Sequence, residues 1–280
     1  MARALVLGGG GVTGIAWEMG VLAGLRHAGV DLSTTDLIVG TSAGSVVGAL
    51  VATAVDLDQA VSVLRSAGLD GEAELSFQLD LTLIGQAFGI VSDATLDPAE
   101  ARARLGRLAL TAPVGEDRVQ VERFAALLPV HDWPAQPRLV VTVVNAETGE
   151  PAAWDDADGV PLVRAVAASC AVPCVFPPVE INGGRYMDGG VRSVTNADLA
   201  VGAEAVVVIA PVDGLFRTSP EAELRELGEV RSVLVSPDAA AREAIGPNVL
   251  DPSRAAASLA AGMTQGEECA ARVGAVWGPS

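Results

Sequence analysis

The segment Gly40-Thr41-Ser42-Ala43-Gly44 has the form G-x-S-x-G, in which two glycines let the backbone turn sharply around a serine. Held between a strand and a helix, such a serine presents its hydroxyl as a nucleophile, and the helix macrodipole favours the negative charge that develops there. An ordinary glycine-rich turn with a serine N-cap has the same local pattern. Its flanks supply the elements a nucleophile requires: Asp36-Leu37-Ile38-Val39 is strand-like, and Ser45 to Val55 is an apolar helical run.

A second glycine cluster, Gly8-Gly9-Gly10-Gly11, follows the apolar run Ala4 to Leu7. Successive glycine amides directed at one point stabilise the oxyanion of a tetrahedral intermediate. A phosphate cradle is the rival reading. The Gly-Lys-Ser/Thr ending of a P-loop is missing, since Gly14-Ile15-Ala16 stands there. A dinucleotide fingerprint is formally met by Gly9, Gly11 and Gly14, with Asp36 as its acidic partner.

Acyl transfer by a serine calls for a base. The chain has two histidines: His27 near the end of the first helix, where a cation is favourable, and His131 in a proline-rich turn. Neither reads as a base. Asp188, in Met187-Asp188-Gly189-Gly190, is a carboxylate at a strand end beside glycines that permit close backbone approach; an Asx turn is its alternative role.

The elements that must position these residues follow an α/β plan. Strand, glycine turn and helix occur twice in succession, over residues 4–28 and 36–55, which points to a parallel sheet. A helical cover is expected over about 66–137, including helices from Asp97 to Leu110 and Gln120 to Leu128. Further strands are expected at Arg138 to Asn145, in a hairpin around Asn182-Gly183-Gly184, at Ala205 to Pro211 and at Arg231 to Ser236. Val160 to Ser169 reads as a helix, and Pro252 to Trp277 as a closing helix.

Composition narrows the function classes. Half of the 280 residues are apolar and only 4% aromatic, as in helix-covered parallel sheets, and the length suits one domain. A net charge of -17 repels nucleic acid and anionic bilayers, which leaves neutral or zwitterionic substrates open and transient contact with a membrane surface compatible. Three cysteines without repeated spacing argue against a disulfide framework. With two histidines remote from any cysteine pair, no metal is expected; Asp155-Asp156-Ala157-Asp158-Gly159 lacks the further ligands of a calcium loop and reads as a solvated acidic turn. The start of the chain leaves no room for a signal peptide's apolar core, and no stretch has the length of a spanning helix, so a cytoplasmic protein is expected. The sequence carries no signal for oligomeric state.

Taken together, the glycine loop, G-x-S-x-G and D-G-G, in that order, resemble the patatin-like phospholipase family. Ala165-Val166-Ala167-Ala168-Ser169-Cys170-Ala171-Val172-Pro173, Phe176-Pro177-Pro178 and Tyr186-Met187-Asp188-Gly189-Gly190-Val191 extend the likeness, which is weakest over 66–137. The resemblance implies a three-layer α/β/α domain with a central, mostly parallel sheet, spanning residues 1–280. It implies Ser42 as nucleophile, Asp188 as a base acting without histidine, the amides of Gly9, Gly10 and Gly11 as oxyanion hole, and no cofactor. The implied function is hydrolysis of carboxylic esters of lipids or lipid-like substrates through an acyl-enzyme. An acyltransferase with the same dyad and a non-catalytic acyl- or nucleotide-binding protein are the alternatives. Two departures stand out: Thr13 occupies the position of the family's basic residue in the glycine loop, and Cys174 a position where the family often has glycine.

Overall fold

The computed structural model describes residues 2–53, 80–212 and 218–278. Strand β1 (Arg3–Leu7) runs through the Gly8–Gly10 turn into α1 (Gly11–His27), and β2 (Leu37–Thr41) runs through Ser42 into α2 (Ala43–Ala52). The three helices α3 (Leu81–Ser92), α4 (Pro98–Thr111) and α5 (Asp117–Leu127) form the described part of the expected cover; residues 66–79 of that expectation lie outside the described residues. Then come β3 (Arg138–Asn145), β4 (Pro151–Trp154), α6 (Leu162–Ser169) and the hairpin β5 (Val179–Ile181) and β6 (Gly184–Asp188). The chain closes with β7 (Ala205–Ile209), α7 (Pro220–Glu226), β8 (Arg231–Val235), α8 (Ala239–Ile245) and α9 (Ala255–Trp277).

The strands form one mixed sheet in the order β5-β6-β3-β2-β1-β7-β8, with β4 also paired to β3. The five strands β3, β2, β1, β7 and β8 are mutually parallel, as the repeated strand–turn–helix units require. Alternate residues face opposite sides. Leu5, Leu7, Ile38, Leu139, Val207 and Ile209 join the large core beneath α1, α2, α6 and α9, whereas Ala4, Val6, Val39, Val206 and Val208 face a smaller cluster beneath α7 and the turn at residues 197–200. Helices therefore lie on both faces of the sheet, in three layers.

On the larger face α1 and α9 pack backbone to backbone. A Cβ on Gly20 or Gly24 of α1 would collide with the Leu259 or Met263 carbonyl, and one on Gly262 or Gly266 of α9 with the Trp17 or Val21 carbonyl. Glycines four residues apart on each helix are what allow this approach.

Most expected elements are present within a few residues. Strand β4 and the short helices α7 and α8 were not anticipated: four residues, Pro151–Trp154, and two seven-residue helices carry too little periodicity to stand out. Asp97 caps α4 through its side chain, with Pro98 in the first turn, as the sequence indicates.

Candidate active site

Strand β3 brings the two candidate catalytic residues together. Its residues 138–142 pair in parallel with β2, ending at Thr41 opposite Thr142. Its residues 143–145 pair antiparallel with β6, beginning at Asp188 opposite Val143. Strand β4 pairs with residues 141–144 and overlaps both, so β2 and β6 share the other edge of β3, one taking over where the other ends. The consecutive residues Thr142 and Val143 thus set Ser42 and Asp188 side by side. The Ser42 hydroxyl is near enough to the Asp188 carboxylate to favour its charged form.

Each glycine nearby answers a steric demand. A Cβ on Gly44 would collide with the Leu7 carbonyl, and one on Gly40 would stand 2.6 Å from the Ser45 Cα. Ser42, which has a side chain, adopts φ 52°, ψ -116°, a conformation that costs about 1–3 kcal/mol in a non-glycine residue. Three neighbours hold it there: the Ser42 amide donates to the Ser169 hydroxyl at 2.9 Å, and the Ser42 carbonyl accepts from the Ser45 hydroxyl at 2.7 Å and from the Cys170 thiol at 3.3 Å. Gly189 passes so close to Thr142 that a Cβ there would collide with its backbone and hydroxyl, and the Gly190 amide donates to Asp188 Oδ1 at 2.7 Å. The D-G-G pattern is explained by these two contacts.

Asp188 is 6% exposed. Burial pushes its carboxyl up from 3.8 to about 7, against the opposing pull of the nearby Ser42 hydroxyl and of the hydrogen bond from the Gly190 amide. A carboxylate tuned in this way is a competent base near neutral pH.

The glycine loop lies across from Ser42. Gly8 donates its amide to the Ile209 carbonyl at 2.9 Å and Gly9 to the Val194 carbonyl at 2.7 Å. The Gly9 amide is therefore committed, which corrects the expectation that it acts as an oxyanion donor. The amides of Gly10 and Gly11 have no acceptor among the described residues and, with the Ala43 amide at the start of α2, remain available. The Val194 carbonyl that fixes Gly9 belongs to a loop clamped by Glu223 of α7: the buried carboxylate accepts from the hydroxyls of Ser193 and Thr195 and from the Ala197 amide. Asn196, in the same loop, donates to Thr41 Oγ1 at 3.0 Å and to Thr142 Oγ1 at 3.3 Å, tying the loop to both strands that carry the site.

Gly9, Gly10, Gly11, Ser42 and Asp188 open onto a cavity of about 260 Å³. Its remaining wall is almost wholly apolar, with Ile84, Phe88 and Val91 from α3, Leu105 from α4, and Val172 and Val249 from loops. A neighbouring cavity of about 310 Å³ shares Val91, Leu105 and Val191 with it and adds charged groups to its lining; there Arg192 is paired with Asp198 and the Glu223 carboxylate is engaged as above.

The other sequence candidates lie elsewhere. His27 ends α1 with its Nδ1 3.8 Å from Glu267, and His131 bonds the Ala125 carbonyl. Asp36, the acidic partner in the dinucleotide reading, accepts from the Arg3 amide at the start of β1, the opposite end of the sheet from the glycine loop. The nucleotide fingerprint is thus not assembled in space. Asp155 caps a short turn and pairs with Arg138, and these contacts hold its carboxyl below the usual range. Thr13 is fully buried, its hydroxyl bonded to the Val249 carbonyl, so no cation replaces the basic residue at that position. Cys174 has φ 64°, which explains why glycine suits its position.

Ser169, Cys170, Asn196 and Glu223 were not singled out from the sequence as site residues. Only Ser169 and Cys170 lay in a segment that attracted attention; Glu223 sits in an otherwise ordinary acidic helix. Glu18, also unanticipated, is fully buried in α1 with no hydrogen-bond partner for either carboxylate oxygen among the described residues, and burial drives its carboxyl well above the usual range. The nearby Gly8 amide, which opposes that shift, is already bonded to Ile209.

The family model described as patatin-like phospholipase matches residues 5–201, a span that contains the glycine loop, Ser42 and Asp188. The chain belongs to the patatin-like phospholipase family. Among solved structures it is similar to VipD from Legionella pneumophila, at 13% identity and a TM-score of 0.48, covering 97% of this chain and 66% of that one. It is also similar to the type III effector protein ExoU, at 16% identity and a TM-score of 0.36, covering 95% of this chain and 53% of that one. The chain therefore spans about half to two thirds of these larger proteins. No curated protein matches the sequence. The mixed, mostly parallel sheet with helices on both faces is the fold the family resemblance implies.

Proposed function

We propose that this patatin-like protein is a serine acyl hydrolase of lipid esters working through a Ser42–Asp188 dyad. The observation that carries the reading is Ser42 set beside a buried Asp188 whose carboxyl is raised to about 7, with both opening onto an apolar cavity. Asp188 takes the Ser42 proton as Oγ attacks the ester carbonyl. The tetrahedral oxyanion is met by the Gly10 and Gly11 amides and by the Ala43 amide at the N-terminus of α2, whose dipole adds to the stabilisation. Asp188 then delivers its proton to the leaving alkoxide, giving an acyl-enzyme. Water, deprotonated by Asp188, attacks that ester and releases the acid as the proton returns to Ser42.

The acyl chain fits the apolar wall formed by Ile84, Phe88, Val91 and Leu105. No metal enters the scheme, so turnover is expected to survive chelation. The test is labelling by a fluorophosphonate probe. Wild type labels and Ser42→Ala does not, with p-nitrophenyl ester turnover lost in parallel; equal labelling of both proteins, or of neither, would sink the assignment.

A further inference from the structure

We propose that α3 docks the protein on an electrically neutral phospholipid surface, placing the mouth of the Ser42 cavity against the layer that supplies its substrate. The idea rests on the lipid-ester reading above and extends it to a partner.

Helix α3, Leu-Thr-Leu-Ile-Gly-Gln-Ala-Phe-Gly-Ile-Val-Ser, contains no charged residue. An apolar helix of a globular protein is ordinarily covered, and α1 and α2 are buried along almost their whole lengths. In α3 no residue is buried; Leu81 is 76% and Phe88 59% exposed. The helix is nonetheless well formed, since the Asp80 side chain accepts from the amides of Thr82 and Leu83.

Its two faces have different surroundings. Ile84, Ala87, Phe88 and Val91, at helical spacing, line the cavity that holds Ser42 and Asp188. Leu81, Thr82, Gly85, Gln86, Gly89 and Ser92 are exposed, and a Cβ on Gly85 or Gly89 would meet nothing within 4 Å among the described residues. Phe88 belongs to both faces. The exposed apolar side chains, Leu81 and Phe88, stand among uncharged neighbours, and through Phe88 they join the apolar wall of the cavity, so a chain leaving a lipid layer beside α3 meets no charged residue of that helix.

Charge selects the kind of surface. Asp80, Asp93 and Asp97 flank the helix, residues 80–101 contain no lysine or arginine, and the whole chain carries -17. A basic face is what draws an interfacial helix to anionic lipid; here that attraction is reversed, and a zwitterionic layer is the surface that accepts uncharged apolar groups without repulsion.

The experiment uses the Ser42→Ala protein, so that vesicles are not consumed, and sedimentation with phosphatidylcholine vesicles. Binding is expected, with little dependence on salt, and it falls several-fold at low ionic strength when phosphatidylserine is mixed in. Adding Leu81→Asp and Gly85→Asp, neither of which lines the cavity, should lower vesicle binding by about tenfold or more. The same pair in the Ser42 background should leave the thermal midpoint and soluble short-chain ester turnover unchanged. Leu81→Asp alone, at a first-turn position that favours a carboxylate, is the second variant and should lower binding part of the way. Failure of the Ser42→Ala protein to bind phosphatidylcholine, equal binding with and without the added carboxylates, or loss of self-association instead of vesicle binding would each overturn the proposal. Vesicle binding with no ester turnover by wild type would refute the hydrolase reading and leave the docking role standing.

Discussion

The turns after β1 and β2 share a plan of strand, glycines and helix, but they set different groups at the cavity. At residues 40–44 the glycines answer collisions, with the Leu7 carbonyl at Gly44 and with Ser45 at Gly40, and the one residue with a working side chain, Ser42, is held at φ 52°. At residues 8–11 collisions also forbid a Cβ, with Pro211 at Gly10 and with the Val249 carbonyl at Gly11, but no side chain is presented: the Gly8 and Gly9 amides are committed to Ile209 and Val194, and those of Gly10 and Gly11 remain. Under the proposed mechanism one turn positions the nucleophile and the other presents donors. The two are locked together by the Gly44 amide, which donates to the Gly8 carbonyl at 2.9 Å.

Three variants separate these roles. The largest effect is expected at the partner of the first turn. Asp188→Asn keeps an acceptor for the Gly190 amide but removes the base, and kcat should fall by about 10³-fold or more. In wild type, kcat/KM should rise with pH through about 7, where Asp188 ionises, and the profile should flatten in the variant.

The same substitution has an opposite sign for stability. Between 3.8 and about 7 the unfolded chain has lost a proton that folded Asp188 retains, so burial of this group lowers stability as pH rises through that window. Asparagine does not titrate. Asp188→Asn should therefore gain on wild type in chemical denaturation as pH rises, by on the order of 2–4 kcal/mol at pH 8, and the gain should vanish near pH 4. A pH-independent difference would show that Asp188 is not held neutral by burial.

Gly44→Ala tests the steric side of the comparison. Its new methyl has no space beside Leu7, and a loss of about 3 kcal/mol or more in unfolding free energy is expected. Urea midpoints measure it, and a loss below about 1 kcal/mol would mean that the turn has slack.

Gly11→Ala tests the donor side. Gly11 has φ 60°, and an added Cβ would stand 2.6 Å from the Val249 carbonyl, so the loop must shift and its amide with it. A smaller effect is expected here, about 10–100-fold in kcat with less change in KM. A change in KM alone would assign the loop to ground-state binding.

Much of the site was legible because its residue types form short recognisable patterns. G-x-S-x-G and D-G-G survive as patterns since Gly40, Gly44 and Gly189 each meet backbone where a Cβ would stand. What stayed hidden depends on partners distant in sequence. Nothing in Gly8-Gly9-Gly10-Gly11 says which amides are engaged; Val194, held in a loop clamped by Glu223, decides that for Gly9. The dinucleotide spacing was equally readable, and only the parallel register of β1 and β2, which sets Asp36 beside Arg3, separates its acidic residue from the loop.

Helix α3 makes the same point about packing. Gly85 and Gly89 have the same four-residue spacing as Gly20 and Gly24, yet one pair faces open space while the other admits a neighbouring backbone. The sequence by itself determined the alternation of strands and helices, the two turns and the candidate dyad, because hydrophobic periodicity is local and glycine clusters mark tight turns whatever comes to pack on them. The tertiary structure alone decided which amides remain free, how far Asp188 is desolvated and which apolar helix is left uncovered, because hydrogen bonding and burial depend on what the rest of the chain brings alongside.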